Sequence, residues 1–251
     1  MNILKTYTLP GNQADTFLVY WTNSLLRPKG VLKVRVSAQI EDRQIAAELS
    51  AIQHLLETKH VLGNTLSCNA GTHLFVSSGA ICKLHRSQSD KAHLAPYANF
   101  LTTRFAGCQI SVDKDTCWFE SFQPETVEDL LVSAPRREKV LIAGLGEVSV
   151  TQHVLERFAD RVLADNTPDR TAQLAWKRLT DLASDRSVRE VFRHSLWTGA
   201  KYCQQGKQEG RYFLNPKRNL VMVVTDNPRE GKRLVTTYPA TSQFHEIKIA
   251  A

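Results

Sequence analysis

The sequence predicts an α+β protein of two modules: a mixed-sheet α/β module, then a module in which helices precede an antiparallel β-meander. The length of 251 residues suits two domains of ordinary size. The order of predicted elements also differs between the two halves. A stretch with two prolines and the pair Arg136-Arg137 separates them and is typical of a linker. The predicted boundaries are residues 1–122, a linker at 123–139, and residues 140–251.

Strands surround one clear helix in the N-terminal module. Apolar and basic residues alternate over 31–36, as in a half-exposed strand, whereas the apolar residues of 45–57 recur at helical spacing. The predicted elements are, in chain order, strands at 17–21 and 31–36, a helix at 45–57, a strand at 74–76, a helix at 92–105 that breaks near Pro96, and strands at 108–112 and 116–119.

The C-terminal module begins with helices and then changes to strand periodicity. Thr151 is a good cap for a helix at 150–163, and Pro168 suits the first turn of a second helix. A third, short helix is predicted at 187–197. The predicted strands are 211–214, 220–225, 233–238 and 244–249, with hairpin loops at 215–219 and 226–231.

Composition limits the class of protein. The formal charge of +7 fits a polyanionic partner such as nucleic acid. No apolar segment is long enough to span a bilayer and no secretory signal is recognisable, so we expect a soluble, cytoplasmic protein without a membrane partner. Five cysteines without a CxxC pair predict reduced thiols and no zinc site. No P-loop or HExxH motif occurs, and we expect no metal or other cofactor.

The N-terminal order of strand, strand, helix, strand and helix resembles a ribonuclease H-like fold. The segment 46–52 is similar to the helix that carries the second catalytic carboxylate of that family, which would fall on Glu48. The family's first and third aspartates would fall in 20–24 and 75–79, and neither stretch contains an acid. The resemblance therefore implies a catalytically inactive module that binds nucleic acid or a protein. The alternative is that Glu48 is an ordinary solvated helix residue.

The C-terminal module resembles the barnase, colicin and RelE-like group of ribonuclease toxins. The likeness lies in the helix at 150–161 and in the strand segments 219–224 and 234–239. Members of this group pack N-terminal helices on an antiparallel sheet of four or five strands. The resemblance implies a metal-independent, toxin-like endoribonuclease.

The residues independently suggest the same chemistry. Metal-free RNA cleavage needs a base for the ribose 2′-hydroxyl, cations for the phosphorane and an acid for the leaving oxygen. His153 is a reasonable base or acid, because the unperturbed pKa of a histidine side chain lies near neutrality. Arg157 and Arg161 follow it at intervals of four on one helix face. The predicted catalytic residues are His153, Arg157 and Tyr238. The predicted nucleic-acid-binding residues are Arg161, Arg211, Tyr212, Lys217, Arg218, Lys232, Arg233 and Thr236.

Each of these side chains has a simpler interpretation, because surface cations pair with nearby acids or remain solvated. His245 is a second candidate proton carrier. Three functions stay open: a metal-independent endoribonuclease acting on RNA, a non-catalytic nucleic-acid-binding protein, or a protein-interaction or inhibitor protein. RNA is the favoured partner, and a protein partner would bind the N-terminal module.

Overall fold

The computed structural model describes residues 2–23, 27–63, 71–120, 122, 127–162, 168–191, 210–227 and 231–240. It is an α+β structure that divides into two units, residues 1–136 and 137–251. Each unit contains a six-stranded mixed sheet. No helix among the described residues is long and apolar enough to cross a membrane.

Unit 1 is built on strands that flank a long central helix. Its elements are β1 (Asn2–Pro10), β2 (Thr16–Asn23), β3 (Arg27–Val36), α1 (Arg43–Glu57), β4 (Thr72–Val76), α2 (Gly79–His85), a 3₁₀ turn (Ala92–Leu94), α3 (Ala95–Thr102), β5 (Gln109–Val112), α4 (Cys117–Glu120) and β6 (Val127–Val132).

The strand order in unit 1 is β5-β4-β1-β2-β3-β6. β1 pairs with β2, and β2 with β3, in antiparallel orientation. The other three pairings are parallel: β4 with β1, β5 with β4, and β6 with β3. α1 packs across β1, β2 and β3 because one side of the helix is apolar, with Leu49, Ile52 and Leu56 fully buried. The carboxyl ends of the parallel strands β4 and β5 therefore lie side by side near this helix.

Unit 2 begins with a hairpin that precedes its helices. Its elements are β7 (Lys139–Ile142), β8 (Gly146–Ser149), α5 (Gln152–Val162), α6 (Pro168–Ser184), β9 (Arg189–Val191), β10 (Gly210–Asn215), β11 (Leu220–Asn227) and β12 (Gly231–Pro239). The sheet order is β7-β8-β12-β11-β10-β9. The buried sides of α5 and α6 share one core with the sheet, which includes Phe158, Leu179, Phe213 and Met222.

Several predicted elements are corrected in unit 1. β1 was not predicted, because Thr6 and Thr8 take two of its buried positions and weaken its apolar alternation. The predicted strand at 116–119 lies mostly in the short helix α4, and the predicted helix at 92–105 is a 3₁₀ turn followed by α3, with Pro96 in its first turn. Part of the predicted linker is β6, which pairs with β3.

Other corrections concern unit 2. Its sheet is not a simple antiparallel meander, because β7 and β8 precede the helices and β8 pairs parallel with β12. Residues 189–191 of the predicted third helix form β9 instead. The rest of that helix, the predicted strand at 244–249, His245, Cys68 and Cys203 lie outside the described residues. Cys82, Cys108 and Cys117 are free thiols.

Candidate functional site

The α5 helix carries the predicted His-Arg-Arg row on its outer side. Val154, Leu155 and Phe158 are buried against the sheet, which leaves His153 and Arg157 exposed to solvent. The side chain of His153 is 63% exposed, and its Nδ1 lies 3.9 Å from Oε2 of Glu156. This distance exceeds that of a hydrogen bond, so the exposed ring of His153 is accessible to a substrate.

Arg161, the third member of the row, is bound to the sheet. Its Nη1 donates to Oγ1 of Thr236 at 3.0 Å and to the backbone carbonyl of Thr237 at 2.5 Å. β8 pairs with β12 at a single position, Arg233 with Ser149. The carbonyl of Thr237 lies further along the edge of β12, where β8 no longer pairs with it. Arg161 thus supplies a hydrogen bond that a neighbouring strand would otherwise make.

The direction of α5 determines which predicted residues approach one another. Ser149 pairs with Arg233 just before α5 begins, whereas Arg161 contacts Thr236 near the end of the helix. Eight residues of helix separate His153 from Arg161, a rise of about 12 Å. Arg233 therefore lies at the His153 end of α5, and Thr236 lies at the other end.

Tyr238 is placed away from His153. It is two residues beyond Thr236 and is half-buried in a small cluster with Val191, Leu214 and Val221. That cluster lies on the opposite face of the sheet from the helices, because side chains alternate along each strand. The structure brings His153 and Arg157 together on α5 and does not bring Tyr238 to them.

The other predicted binding residues are distributed over both faces of the sheet. Arg211 and Tyr212 are neighbours on β10 and point to opposite faces, Tyr212 toward the Tyr238 cluster. Arg218 is exposed in the turn between β10 and β11. Arg233 is exposed on β12.

Besides Arg161, three more of the predicted cations have contacts within unit 2: Arg211, Lys217 and Lys232. Arg211 forms a bidentate pair with Glu190, with both distances 2.7 Å, and this guanidinium lowers the pKa of the Glu190 carboxyl. Lys217 donates to both carboxylate oxygens of Asp185. Lys232 Nζ donates to the carbonyl of Leu145 at 2.8 Å. These contacts support the fold, so a ligand would have to compete for the same N–H groups.

Positive charge is concentrated in unit 2. This unit has 19 lysines and arginines against 13 aspartates and glutamates, whereas unit 1 has 13 against 12. The formal excess is therefore six in unit 2 and one in unit 1. A polyanion would be attracted mainly to unit 2.

A second candidate site surrounds Glu48 in unit 1. Glu48 is not a solvated helix residue, because only 1% of its surface is exposed. Its Oε1 accepts hydrogen bonds from the Thr6 hydroxyl at 2.9 Å and the Ser77 backbone N–H at 2.7 Å, and its Oε2 accepts from the Ser77 hydroxyl at 2.5 Å. Burial raises the pKa of Glu48, and these hydrogen bonds oppose that shift.

The residues beside Glu48 differ from those expected by sequence reasoning. Thr6 of the unpredicted strand β1 takes the position expected within 20–24, and Ser77 follows β4 as expected. Two acids that were not singled out, Asp113 and Asp115, follow β5, and Lys5 pairs with both. Their position directly after a short apolar strand was the available signal.

One group of side chains has the donor atoms for a metal ion within the described ranges. It consists of Glu41, Asp42 and His93, whose donor atoms lie within 4.8 Å of one another. Asp42 is already paired with Lys91 at 2.7 Å and with His93 at 3.3 Å. The ammonium group of Lys91 provides the positive charge that a cation would bring.

The chain matches no known protein family model, no curated protein and no solved structure.

Proposed function

We propose that this protein acts on RNA, and that unit 2 cleaves it without a metal ion at the outer side of α5. The observation that carries the proposal is the exposed pair His153 and Arg157, one helical turn apart, in the unit that holds most of the positive charge. A proton carrier beside a guanidinium supplies two of the groups that metal-free phosphodiester cleavage needs, a base and a cation.

In the proposed reaction the ribose 2′-hydroxyl is the nucleophile. His153 takes the proton from this hydroxyl while its oxygen bonds to phosphorus. The bond from phosphorus to the 5′-oxygen breaks, and a solvent water gives the leaving oxygen its proton. The products are a 2′,3′-cyclic phosphate and a chain with a 5′-hydroxyl. Arg157 stabilises the charge of the phosphorane by bidentate hydrogen bonding. DNA has no 2′-hydroxyl, so the proposal applies to RNA only.

The remaining predicted residues take supporting roles in this proposal. Arg161 positions α5 on β12 through Thr236 and Thr237. Arg218 and Arg233 are exposed positions at which RNA phosphates can bind. Arg233 precedes the buried Leu234 on β12, so its side chain points to the face of the sheet opposite the helices. Tyr238 contributes to base stacking or to the packing of its own cluster, because it lies on the face of the sheet opposite the helices.

Unit 1 is assigned, in the same proposal, to a ribonuclease H-like fold without catalytic activity. Its strand order, with three antiparallel strands followed by two parallel ones on the far side of β1, supports the assignment. Glu48 has Thr6 and Ser77 beside it in place of further carboxylates. A single carboxylate cannot hold the pair of magnesium ions that such enzymes use.

The test is incubation of the purified protein with a labelled single-stranded RNA in EDTA. We expect the wild type to shorten the RNA and His153→Gln to lose at least about a hundredfold in rate, the lower end of a typical general-base contribution. His60→Gln is the matched control, because His60 is an exposed histidine of unit 1. Equal cleavage by wild type and His153→Gln would remove His153 from the mechanism.

Non-catalytic nucleic-acid binding is the second candidate, favoured by the charge excess of unit 2. In that case RNA stays intact in the same assay but shifts on a native gel. Arg157→Gln would then lower the slope of log affinity against log salt by about one. Intact RNA without a shift would favour the third possibility, a protein partner.

A further inference from the structure

A cavity of about 580 Å³ opens beside Glu48 in unit 1. Its volume falls within the range of about 300–1,000 Å³ that is typical of small-molecule sites. The start of α1, the end of β4 and the segment after β5 meet there, so the walls come from parts of the chain far apart in sequence. The RNA cleavage proposed for unit 2 does not involve this cavity, and the excess of positive charge also belongs to unit 2.

Most carboxylate oxygens of the cavity are already engaged. Both oxygens of Glu48 accept hydrogen bonds from Thr6 and Ser77. The carboxylate of Asp42 is bound by Lys91 and His93. Both contacts to Asp42 are made by its Oδ2, so three of the four oxygens of these two carboxylates already have donors.

Hydrogen-bond donors, in contrast, remain available. Lys114 donates one N–H to the Ser77 carbonyl and has two further N–H groups. Arg43 uses one nitrogen for Gln39 and has the rest of its guanidinium for a ligand. The Ser78 hydroxyl accepts from the Ala80 N–H and keeps its own hydrogen to donate. The cavity therefore favours a ligand rich in acceptors and negatively charged, such as a phosphate.

Part of the remaining lining is apolar. Phe17, Ile40 and Ile45 form this part of the wall. An inorganic phosphate would leave this apolar part of the wall exposed to water, whereas a flat heterocycle would cover it. The ligand thus needs an anionic end and an aromatic, weakly polar end.

We infer that this cavity binds a nucleoside monophosphate, with Lys114, Arg43 and Ser78 on the phosphate and the base against Phe17, Ile40 and Ile45. Glu48 holds the end of β4 in place through Ser77 and does not contact the phosphate. Unit 1 would then be a nucleotide-responsive module, independent of whether unit 2 cleaves RNA.

The test is calorimetric titration of the full chain with AMP, CMP, GMP and UMP, and separately with the nucleosides and with inorganic phosphate. We expect at least one monophosphate to bind, and its nucleoside and phosphate to bind at least about tenfold more weakly. Lys114→Gln and Arg43→Gln should each weaken the monophosphate about tenfold, since a charge-assisted hydrogen bond contributes about that factor.

Two controls separate this site from unit 2. Lys83→Gln removes an exposed lysine that does not line the cavity and should leave binding unchanged, as should His153→Gln. Lysine acylation read by mass spectrometry should show that the bound monophosphate protects Lys114. Equal affinity of nucleoside and monophosphate, no binding of any monophosphate, or unaltered binding in both cavity variants would overturn the inference.

Discussion

Glu48 is an ionisable side chain in the interior of unit 1, where desolvation and hydrogen bonding act in opposite directions. Burial disfavours the carboxylate, whereas the donors of Thr6 and Ser77 stabilise it. Burial has the larger effect, so the pKa is raised. The folded protein therefore binds this proton more tightly than the unfolded chain does.

The sign of the resulting pH dependence follows from linkage. Stability is greatest below the unfolded glutamate pKa of about 4.3 and falls as the pH rises through the higher folded pKa. We expect Glu48→Gln to remove this fall while keeping the acceptor for Thr6 and for the Ser77 N–H. The measurement is the free energy of unfolding in urea at several pH values from 4 to 7. If the free energy of Glu48→Gln changed with pH as steeply as that of the wild type, the prediction would be wrong.

Replacing Glu48 by an apolar residue has a different effect. Glu48→Leu should be destabilised by about 1–3 kcal/mol for each donor left without a partner.

At the scale of elements, α5 owes its exposed row to its position on β12. The apolar stripe of the helix must face the sheet, which leaves the residues spaced by four from His153 on the outer side. β8 ends beside Arg233, so the edge of β12 beyond that point is covered by Arg161 rather than by a strand. One arginine of the row is thereby bound to the sheet, and Arg157 stays exposed.

The end of α6 is tied to the turn between β10 and β11 by an ion pair. Asp185 accepts hydrogen bonds from the Ser187 N–H and from Lys217, which lower the pKa of its carboxyl to about 2. Its contribution to stability is present above the unfolded aspartate pKa of about 3.9 and is lost as the pH falls toward 2.

Replacing this carboxylate tests the connection. We expect Asp185→Asn to have a lower melting temperature than wild type at pH 6, with the difference disappearing as the pH approaches 2. Asp181→Asn, at an exposed position one turn earlier on α6, is the matched control and should behave as wild type. A melting-temperature difference that stayed constant with pH would exclude the ionised carboxylate as the cause.

At the scale of the whole molecule, the two units have separate hydrophobic cores. The core of unit 1 includes Phe100 and Phe105, and the core of unit 2 includes Phe158 and Phe213. The two clusters have no residue in common. Loss of packing in one core should therefore be felt mainly in its own unit.

Matched truncations of one buried phenylalanine in each unit provide the test. Phe158→Ala should destabilise unit 2 by about 3–5 kcal/mol, and Phe100→Ala should do the same to unit 1. Hydrogen exchange followed by mass spectrometry is expected to show faster exchange in residues 137–251 for the first variant and in 1–136 for the second. Faster exchange throughout the chain in both variants would mean that the units unfold as one.

Long amphipathic helices were the most predictable part of the fold. α1, α5 and α6 each carry an apolar stripe at helical spacing. The predicted ranges of α1 and α5 agree with the observed ones within two residues, and α6 begins at Pro168, which was predicted to lie in its first turn. β1 and β6 were not recognised as strands. Thr6 and Thr8 fill buried positions of β1, and β6 exposes Val127 and Leu131, so neither has a clear alternation of apolar and polar residues.

Some features of the candidate sites could likewise be predicted from local sequence, and others could not. The sequence by itself determined the row of His153, Arg157 and Arg161, because helical periodicity is local and places residues four apart on one face. It also determined the excess of basic residues after residue 136. Both properties depend on neighbours in the chain or on composition.

Only the tertiary structure decided which side chains are engaged and which remain exposed. Glu48 is buried by contact with Thr6 and Ser77, which are 42 and 29 residues away. Arg161 is bound to residues more than 70 positions later, and Tyr238 is directed to the face of the sheet opposite the helices. Such contacts depend on strand order and register, which follow from packing of the whole unit and have no local signature in the chain.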